Sequence, residues 1–252
     1  MSAITSHHTL VLVSGANQGL GYEIVKKLAA EQAGYHILLG SRNFEKGKAA
    51  AGNITNVAHG TSVEPIELDI ESDNSIAKAA KYVEEKYGRL DVLFNNAGIS
   101  SVEGTTPREE FNRILATNVT GYACTTEAFI PLLRKAQMPR LLFMSSGLAS
   151  ITCALDPSFA FYGLGGPFRY KAYITSKCAD NMLGVLYAVQ LGKEGFKVNM
   201  IDPGFRATNI NGYHEGGGKA SEGAIQACKL IVDTDKNGLH ASFTSVDYVY
   251  PW

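Results

Sequence analysis

The sequence has few of the features that mark secreted, membrane-bound or nucleic-acid-binding proteins. Its 252 residues carry 23 Lys and Arg against 24 Asp and Glu, so there is no basic surplus to attract nucleic acid or an anionic membrane surface. No uninterrupted apolar stretch approaches the roughly 20 residues needed to cross a bilayer. The N-terminal residues show no basic segment before an apolar run, which argues against a secretory signal. We therefore expect a cytoplasmic protein that binds neither nucleic acid nor membranes.

Cysteine and histidine are too sparse and too scattered to predict a metal site. The chain has four cysteines without a paired short spacing: Cys124, Cys153, Cys178 and Cys228. None of the six histidines has a histidine partner four residues away. These spacings predict neither a disulfide framework nor a set of metal ligands.

Short β-branched runs alternate with longer helical patterns along the whole chain. The runs predict strands at 9–14, 35–40, 62–68, 89–98, 140–146, 197–202 and 240–245. Helices are predicted at 20–33, 73–88, 109–135, 173–194 and 221–232. This alternation is typical of an α/β protein, here a single Rossmann-type doubly wound parallel sheet of about seven strands with helices on both faces. No linker or repeat interrupts it, so we expect one domain over residues 1–252.

Two irregular segments interrupt the alternation, at 147–169 and 204–223. Each follows the C-terminal end of a predicted strand, where open α/β sheets bind their ligands. Long loops at such a place are more often functional than incidental.

Three glycines follow the first predicted strand and open the first predicted helix. Gly15, Gly19 and Gly21 have the spacing G-x-x-x-G-x-G rather than G-x-G-x-x-G. Glycine permits left-handed turns and lets a pyrophosphate approach the N–H groups at a helix N-terminus. A tight structural turn without a ligand is the alternative, but the position after the first strand favours a dinucleotide site.

The end of the second predicted strand indicates which dinucleotide binds. Ser41 stands where an NAD site usually has an acidic residue, and Arg42 follows it. A guanidinium can bind a 2′-phosphate through two hydrogen bonds, and a serine leaves no carboxylate to repel it. The alternative is an ordinary surface arginine after a strand. The pattern favours NADP(H) as the cofactor.

Seven short motifs in order make the chain resemble the short-chain dehydrogenase/reductase family over nearly its whole length. They are SGANQGLG (14–21), LDI (68–70), NNAG (95–98), NVTG (118–121), SS (145–146), YITSK (173–177) and DPGF (202–205). Ser14 replaces the threonine usual in the glycine turn, and both side chains carry a hydroxyl. The final YVYPW is similar to the ends of carbonyl-reductase-like members.

The resemblance implies a set of catalytic and cofactor-binding residues. Ser146 would hydrogen-bond the substrate carbonyl, Tyr173 would be the proton donor, Asn118 would support a proton relay through water, and Lys177 would bond the nicotinamide ribose. Ser145 is the alternative serine. The implied cofactor-binding residues are Gly15, Asn17, Gln18, Gly19, Leu20, Gly21, Ser41, Arg42, Asp69, Ile70, Asn95, Ala97, Gly98, Tyr173, Lys177, Pro203, Gly204 and Thr208.

Tyr173 and Lys177 also form a pair on physical grounds. They are four residues apart and share one helix face, whereas Tyr170 is seven residues before the lysine and is expected at or before the helix start. An ammonium roughly 4–6 Å away would favour the phenolate by about 3–4 kcal/mol and lower the tyrosine pKa by about two to three units. Alone, the pair would read as an ordinary amphipathic turn.

The chain departs from the family pattern between the serine and the tyrosine. Tyr173 lies 27 residues after Ser146, and the extra length is the 147–169 segment. In carbonyl-reductase-like relatives an insertion here covers the surface used for oligomerisation; this one is shorter, so monomer and homodimer both stay open. Its aromatic residues could instead line a substrate pocket: Phe159, Phe161, Tyr162 and Phe168. The glycine-rich 204–223 segment is expected to be a mobile lid over an open site.

The sequence therefore predicts an NADPH-dependent reductase of a ketone or aldehyde on a small, fairly apolar molecule. The same residues could work as an NADP-dependent secondary-alcohol dehydrogenase. A non-redox NADP(H)-binding protein that retains the fold is the alternative outside catalysis.

Overall fold

A computed structural model of the chain describes residues 8–164 and 168–252. Seven parallel strands form one sheet in the order β3-β2-β1-β4-β5-β6-β7. The strands are β1 Thr9–Val13, β2 Tyr35–Ser41, β3 Ser62–Glu67, β4 Val92–Asn95, β5 Arg140–Met144, β6 Lys197–Ile201 and β7 Ser242–Thr244. The predicted doubly wound parallel sheet of seven strands is confirmed. Strand order reverses between β1 and β4, which is the point where such sheets bind ligands.

Eight α-helices lie in the described part of the chain. They are α1 Gly19–Glu31, α2 Phe44–Gly52, α3 Asp73–Tyr87, α4 Pro107–Leu115, α5 Gly121–Leu133, α6 Ile151–Ala154, α7 Phe168–Leu191 and α8 Ala220–Val232. Within the described residues, no helix combines the length and apolar composition needed to span a membrane.

Each face of the sheet carries its own hydrophobic core. On one face Ile24 and Leu28 of α1 pack with Ile231 of α8, and on the other Val83 and Phe129 lie among the buried side chains of α3 and α5. Each such side chain contributes roughly 1.5–3 kcal/mol when fully buried. Because both faces are covered, the central strands consist of nearly continuous apolar residues, which is why they could be recognised in the sequence.

Helix α2 is not singled out by the hydrophobic pattern. Only Gly47 and Ala50 of its nine residues are buried, so it lacks the large apolar side chains that make a helical period visible. Its start is set instead by Asn43, whose side chain accepts a 2.9 Å hydrogen bond from Lys46 N.

The long helix predicted at 109–135 is interrupted in its middle. Helix α4 begins with a capping box between Thr106 and Glu109, and a π-helical segment, Ala116–Thr120, joins it to α5. A π-turn breaks the regular hydrogen-bond ladder at one place and is frequent at functional sites. Asn118 lies at its centre.

Helix α7 begins five residues before its predicted start at Tyr173. It starts at Phe168, so Tyr170 lies inside its first turn rather than at or before the helix start. The 147–169 insertion contains a 3₁₀ turn, Gly147–Ala149, and the short helix α6. The Phe168 side chain, predicted to belong to the insertion's aromatic group, lies outside the described part of the chain.

Candidate active site

The glycine turn is shaped by close contact between two strand ends. Gly15 and Gly19 have φ angles of +61° and +59°, in the left-handed region that favours glycine. A Cβ atom at Gly15 would lie 2.7 Å from Ala97 Cα, so only glycine fits between β1 and the segment after β4. Asn17, Gln18 and Leu20 complete the turn.

The N-terminus of α1 is suited to bind an anion. Gln18 precedes the helix without capping it through its side chain, and the first turn has no acidic residue. The N–H groups of a first turn need acceptors, and the helix dipole favours negative charge at this end. A dinucleotide pyrophosphate supplies both.

Asn96, which lies outside the predicted set of site residues, holds the glycine turn in place. Its side-chain amide donates to the carbonyl oxygens of Ser14 at 2.8 Å and Gly15 at 3.2 Å. The Ser14 hydroxyl oxygen accepts from the backbone N–H of Asn96 at 2.9 Å and of Ala97 at 3.1 Å. The position of Asn96 in the NNAG motif, directly after a buried strand, is the feature of the sequence that could have indicated this role.

Two predicted cofactor residues have side chains that face the protein interior. Asn95 is fully buried and donates to Thr126 Oγ1 at 2.9 Å. Ile70 belongs to a hydrophobic core and packs against Gly121, where a Cβ atom would lie 2.9 Å from Ile70 Cδ1. These two side chains are therefore engaged inside the protein. Asp69 is half-buried and accepts a hydrogen bond from Glu71 N.

Ser41 and Arg42 differ in whether their side chains already make hydrogen bonds within the protein. The Ser41 hydroxyl is buried and donates to Asn43 O at 2.8 Å, so it stabilises the turn into α2. Arg42 is exposed, and within the described residues it makes no hydrogen bond or ion pair. Its guanidinium is thus available at the end of β2.

The segment after β6 lies against the glycine turn. Gly204 has a φ angle of +73°, and Thr208 is buried at the start of a 3₁₀ turn, Asn209–Asn211. A Cβ atom at Gly19 would lie 2.8 Å from Asn209 Oδ1. Ser100 also donates to Ile210 O at 2.6 Å. Pro203, Gly204 and Thr208 therefore lie along the side of the cleft that faces the glycine turn.

The two serines after β5 have different partners. The Ser145 hydroxyl is buried and donates to Asn181 Oδ1 at 2.6 Å. The half-buried Ser146 hydroxyl accepts from Leu148 N at 3.3 Å and lies close enough to the Tyr173 phenol to lower the pKa of that phenol. Of the pair, Ser146 is the one placed beside the tyrosine.

Asn118 holds a loop and a helix together at the edge of the cleft. Its side chain accepts from Ile99 N and donates to Ile99 O, both at 2.9 Å, and donates to Ser176 Oγ at 2.9 Å. A Cβ atom at Gly98 would be 3.1 Å from Asn118 Oδ1 and 3.8 Å from Lys177 Nζ. Asn118 therefore lies near Lys177 with both of its side-chain N–H donors already used.

Lys177 is directed towards the sheet. Its ammonium donates to Met144 O at 2.9 Å and to the Asp180 carboxylate at 2.9 Å, and it lies 5.0 Å from the centre of the Tyr122 ring. The side chain is almost fully buried. These contacts compensate for burying the charge.

The expected lowering of the Tyr173 pKa by Lys177 is not what the structure shows. Although the residue keeps some accessible surface, its phenol is enclosed, and this burial raises the pKa far above its usual value. The carboxylates of Asp202 and Asp180 raise it further, while the contact with Ser146 lowers it. The prediction was wrong because it considered the lysine alone, and Asp180 offsets the lysine charge.

Aromatic side chains connect the insertion to the segment after β6. The Phe161 ring lies 5.7 Å from Phe159 and 6.4 Å from Phe205, and Phe205 lies 5.4 Å from His214. The 204–223 segment is also more regular than its glycine content indicated, because backbone hydrogen bonds join Ala207 and Phe205 to Gly218. Tyr213 and His214 are exposed, as expected for a solvent-facing loop.

Within the described ranges, no group of three His, Cys, Asp or Glu side chains is arranged to hold a metal ion. All four cysteines are free thiols.

Comparisons with known proteins agree with this fold. The sequence profile of the family described as short chain dehydrogenase matches residues 9–216. The short-chain dehydrogenase anuI of Penicillium roqueforti is 39% identical over 242 residues, which cover 94% of this chain and 92% of the relative. The chain therefore belongs to the short-chain dehydrogenase/reductase family of oxidoreductases.

Two solved structures share the fold at low sequence identity. A 3-ketoacyl-(acyl-carrier-protein) reductase from Brucella melitensis, complexed with NADH, has a TM-score of 0.76 at 22% identity, and the match covers 94% of this chain and 96% of that one. The Pseudomonas aeruginosa RhlG/NADP complex has a TM-score of 0.76 at 21% identity, with 98% of both chains covered. At these identities the likeness shows the fold alone.

Proposed function

We propose that the protein is an NADPH-dependent reductase of a ketone or aldehyde carbonyl on a small, fairly apolar molecule. The observation that carries the proposal is that the Ser146 hydroxyl lies close enough to the Tyr173 phenol to lower its pKa, next to the buried Lys177 ammonium. A hydroxyl and a phenol that lie side by side can both donate to one carbonyl oxygen.

The four polar side chains divide the work of carbonyl reduction. When bound, NADPH supplies the hydride that adds to the carbonyl carbon. Ser146 donates a hydrogen bond to the oxygen as negative charge develops there, and Tyr173 transfers its proton to that oxygen. Lys177 has one N–H beyond its two bonds to Met144 and Asp180, which suits a ribose hydroxyl. Asn118 joins the 98–99 backbone to α7 through its side-chain hydrogen bonds.

The preference for NADPH is supported by the exposed, unpaired Arg42 and by the absence of an acidic side chain at position 41. A guanidinium binds a 2′-phosphate through paired, charge-assisted hydrogen bonds. The N-terminus of α1 would hold the pyrophosphate. The two dinucleotide complexes named above carry NADH and NADP, so the preference rests on this chain's own residues.

The apolar character of the substrate is supported by the aromatic group around Phe161 and Phe205. Both rings are partly exposed and bridge the insertion and the segment after β6. An exposed aromatic surface that joins the segments following β5 and β6 favours flat or bulky apolar molecules. The reverse reaction, oxidation of a secondary alcohol, would use the same residues, with the Tyr173 phenolate as the proton acceptor.

A carbonyl panel followed by NADPH absorbance tests the proposal. The wild-type protein should consume NADPH with at least one aryl or alkyl ketone or aldehyde, and Tyr173→Phe should lose about 10²- to 10⁴-fold in turnover while binding NADPH normally. Tyr170→Phe, three residues earlier on the same helix, is the matched control and should retain turnover. Turnover that persists in Tyr173→Phe would contradict the proton-donor assignment. NADPH binding without turnover on any carbonyl would favour a non-redox binding protein.

A further inference from the structure

Asp180 is a buried carboxylate beside the reacting groups that the proposed reaction does not require. It lies three residues after Lys177 on α7 and has no accessible surface. Its Oδ2 atom accepts from Lys177 Nζ at 2.9 Å, whereas Oδ1 has no hydrogen-bond partner within the described residues. Burying a carboxylate is costly unless it is paired. A carboxylate at this place, half-satisfied and touching the active-site lysine, therefore calls for a functional reason.

The carboxylate and the sheet together fix the lysine. An ammonium has three N–H donors. One reaches Met144 O on β5 and one reaches Asp180, each at 2.9 Å, so the third has a defined direction. Without Asp180, the ammonium could rotate about its stem or move towards Tyr173. The pair therefore holds the lysine in one orientation and partly neutralises its charge.

Several ionisable groups from neighbouring elements face this pair. Tyr173 is on the same helix, Tyr122 comes from α5, and Asp202 comes from the end of β6, where it accepts from the Tyr250 hydroxyl at 2.7 Å. Helix α4 also packs on α7 and carries one buried carboxylate, Glu110. The charges of Asp180 and Asp202 both raise the pKa of the Tyr173 phenol.

The protonation state of Asp180 follows from two opposing effects. Burial raises its pKa, and the charge and hydrogen bond of Lys177 lower it, with a result of about 6. The carboxylate is therefore mostly ionised at neutral pH, where it counters the lysine.

We propose that Asp180 is a positioning residue that holds the Lys177 ammonium against β5 and places a buried negative charge beside the proton-donating Tyr173. The inference rests on the proposed role of Tyr173 as proton donor. It concerns the pH range of the reaction and not its direction, because the equilibrium between carbonyl and alcohol does not depend on the enzyme. Above the pH at which the phenol loses its proton, reduction falls; Asp180 moves that limit upward.

Two readouts in Asp180→Asn test this role. The first is the pH profile of kcat/KM for NADPH-dependent reduction: its alkaline limit should fall by about one pH unit or more when the opposing carboxylate is removed. The second needs no cofactor or substrate: the phenolate absorbance of the free protein, with that of the matching Tyr173→Phe background subtracted, should show the same downward shift. Asp180→Leu, which fills the site without charge, is a second variant should the amide disturb folding.

The control removes a different ion-paired carboxylate. Asp233 pairs with Lys197 at 2.8 Å, at the opposite end of β6 from Asp202. Asp233→Asn should leave both the pH profile and the phenolate titration unchanged.

The outcomes separate this inference from the proposed function. An unchanged or upward-shifted phenolate titration in both Asp180 variants would overturn the inference, even if Tyr173→Phe is inactive and the reductase assignment stands. A downward shift in the free protein supports the inference on its own. Retained turnover in Tyr173→Phe would instead overturn the proton-donor assignment, and with it the link from Asp180 to the reaction.

Discussion

The Asn96 side-chain amide donates a 2.8 Å hydrogen bond to the Ser14 carbonyl oxygen and so joins the end of β4 to the glycine turn. The contact is tight, because a Cβ atom at Gly21 would lie 2.5 Å from Asn96 Nδ2. The dinucleotide turn is therefore held by a neighbouring strand and not by its glycines alone.

Asn96→Ala should loosen the glycine turn. It leaves two carbonyl oxygens without a donor, so we expect unfolding to become easier by about 1–2 kcal/mol, together with weaker NADPH binding. Urea unfolding and isothermal titration measure the two effects. Asn112→Ala, at an exposed position of α4, is the control and should change neither. Unaltered cofactor affinity in Asn96→Ala would show that the turn keeps its shape without the Asn96 hydrogen bonds.

Ser145→Ala should mainly lower stability, whereas Ser146→Ala should mainly lower turnover. Ser145 donates to Asn181 inside the protein, so its loss should cost about 1 kcal/mol of stability and leave most of the turnover. Ser146 is half-buried beside Tyr173, so its loss should lower turnover by about 10²-fold or more with little change in stability. Thermal unfolding and steady-state kinetics on both variants decide the assignment. If Ser145→Ala proved the inactive variant, the catalytic serine would be misassigned.

Arg42→Leu tests the dinucleotide preference. The exposed guanidinium has no partner within the described part of the chain, so its replacement should not disturb the fold. Loss of a charge-assisted pair to the 2′-phosphate should weaken NADPH binding by about 1.5–3 kcal/mol and leave NADH binding nearly unchanged. Fluorescence titration with both dinucleotides is the measurement. Lys46→Leu, an exposed cation on the following helix, is the control. Equal losses for both dinucleotides would contradict the 2′-phosphate assignment.

Glu64 should make stability depend on pH in the acid range. Burial of this carboxyl opposes its ionisation, but hydrogen bonds with His36, Lys86, Tyr82 and Tyr87 outweigh that effect and bring its pKa far below the usual 4.5. A lowered folded-state pKa stabilises the protein above the unfolded-state value, and this contribution is lost as the pH falls below about 4.5.

Glu64→Gln should therefore destabilise the protein at pH 7 by roughly 1–2 kcal/mol, and the difference from wild type should shrink towards pH 3. Denaturant unfolding at a series of pH values measures it. Glu67→Gln, on the same strand but exposed, should behave as wild type. A difference that stays constant with pH would mean that Glu64 acts through packing rather than charge.

A site residue can be predicted from the sequence when its role depends on residues close to it in the chain. The glycine turn, the Tyr173–Lys177 spacing and the Ser145–Ser146 pair are local patterns and were visible. Asn95 and Ile70 were placed in the cleft because their motifs border it, yet their side chains turn inward. A motif gives the position of a backbone segment, and the strand pleat and packing decide where each side chain points.

The sequence by itself determined the alternating α/β architecture and the family, because buried parallel strands and amphipathic helices leave periodic patterns that need no long-range information. Only the tertiary structure decided that the Asp180–Lys177 pair is buried near the Tyr173 phenol, that Asn96 holds the glycine turn, and that Phe161 meets Phe205. These contacts join elements distant in sequence or combine burial with neighbouring charge. Both the desolvation of a group and the charges around it are properties of the folded chain.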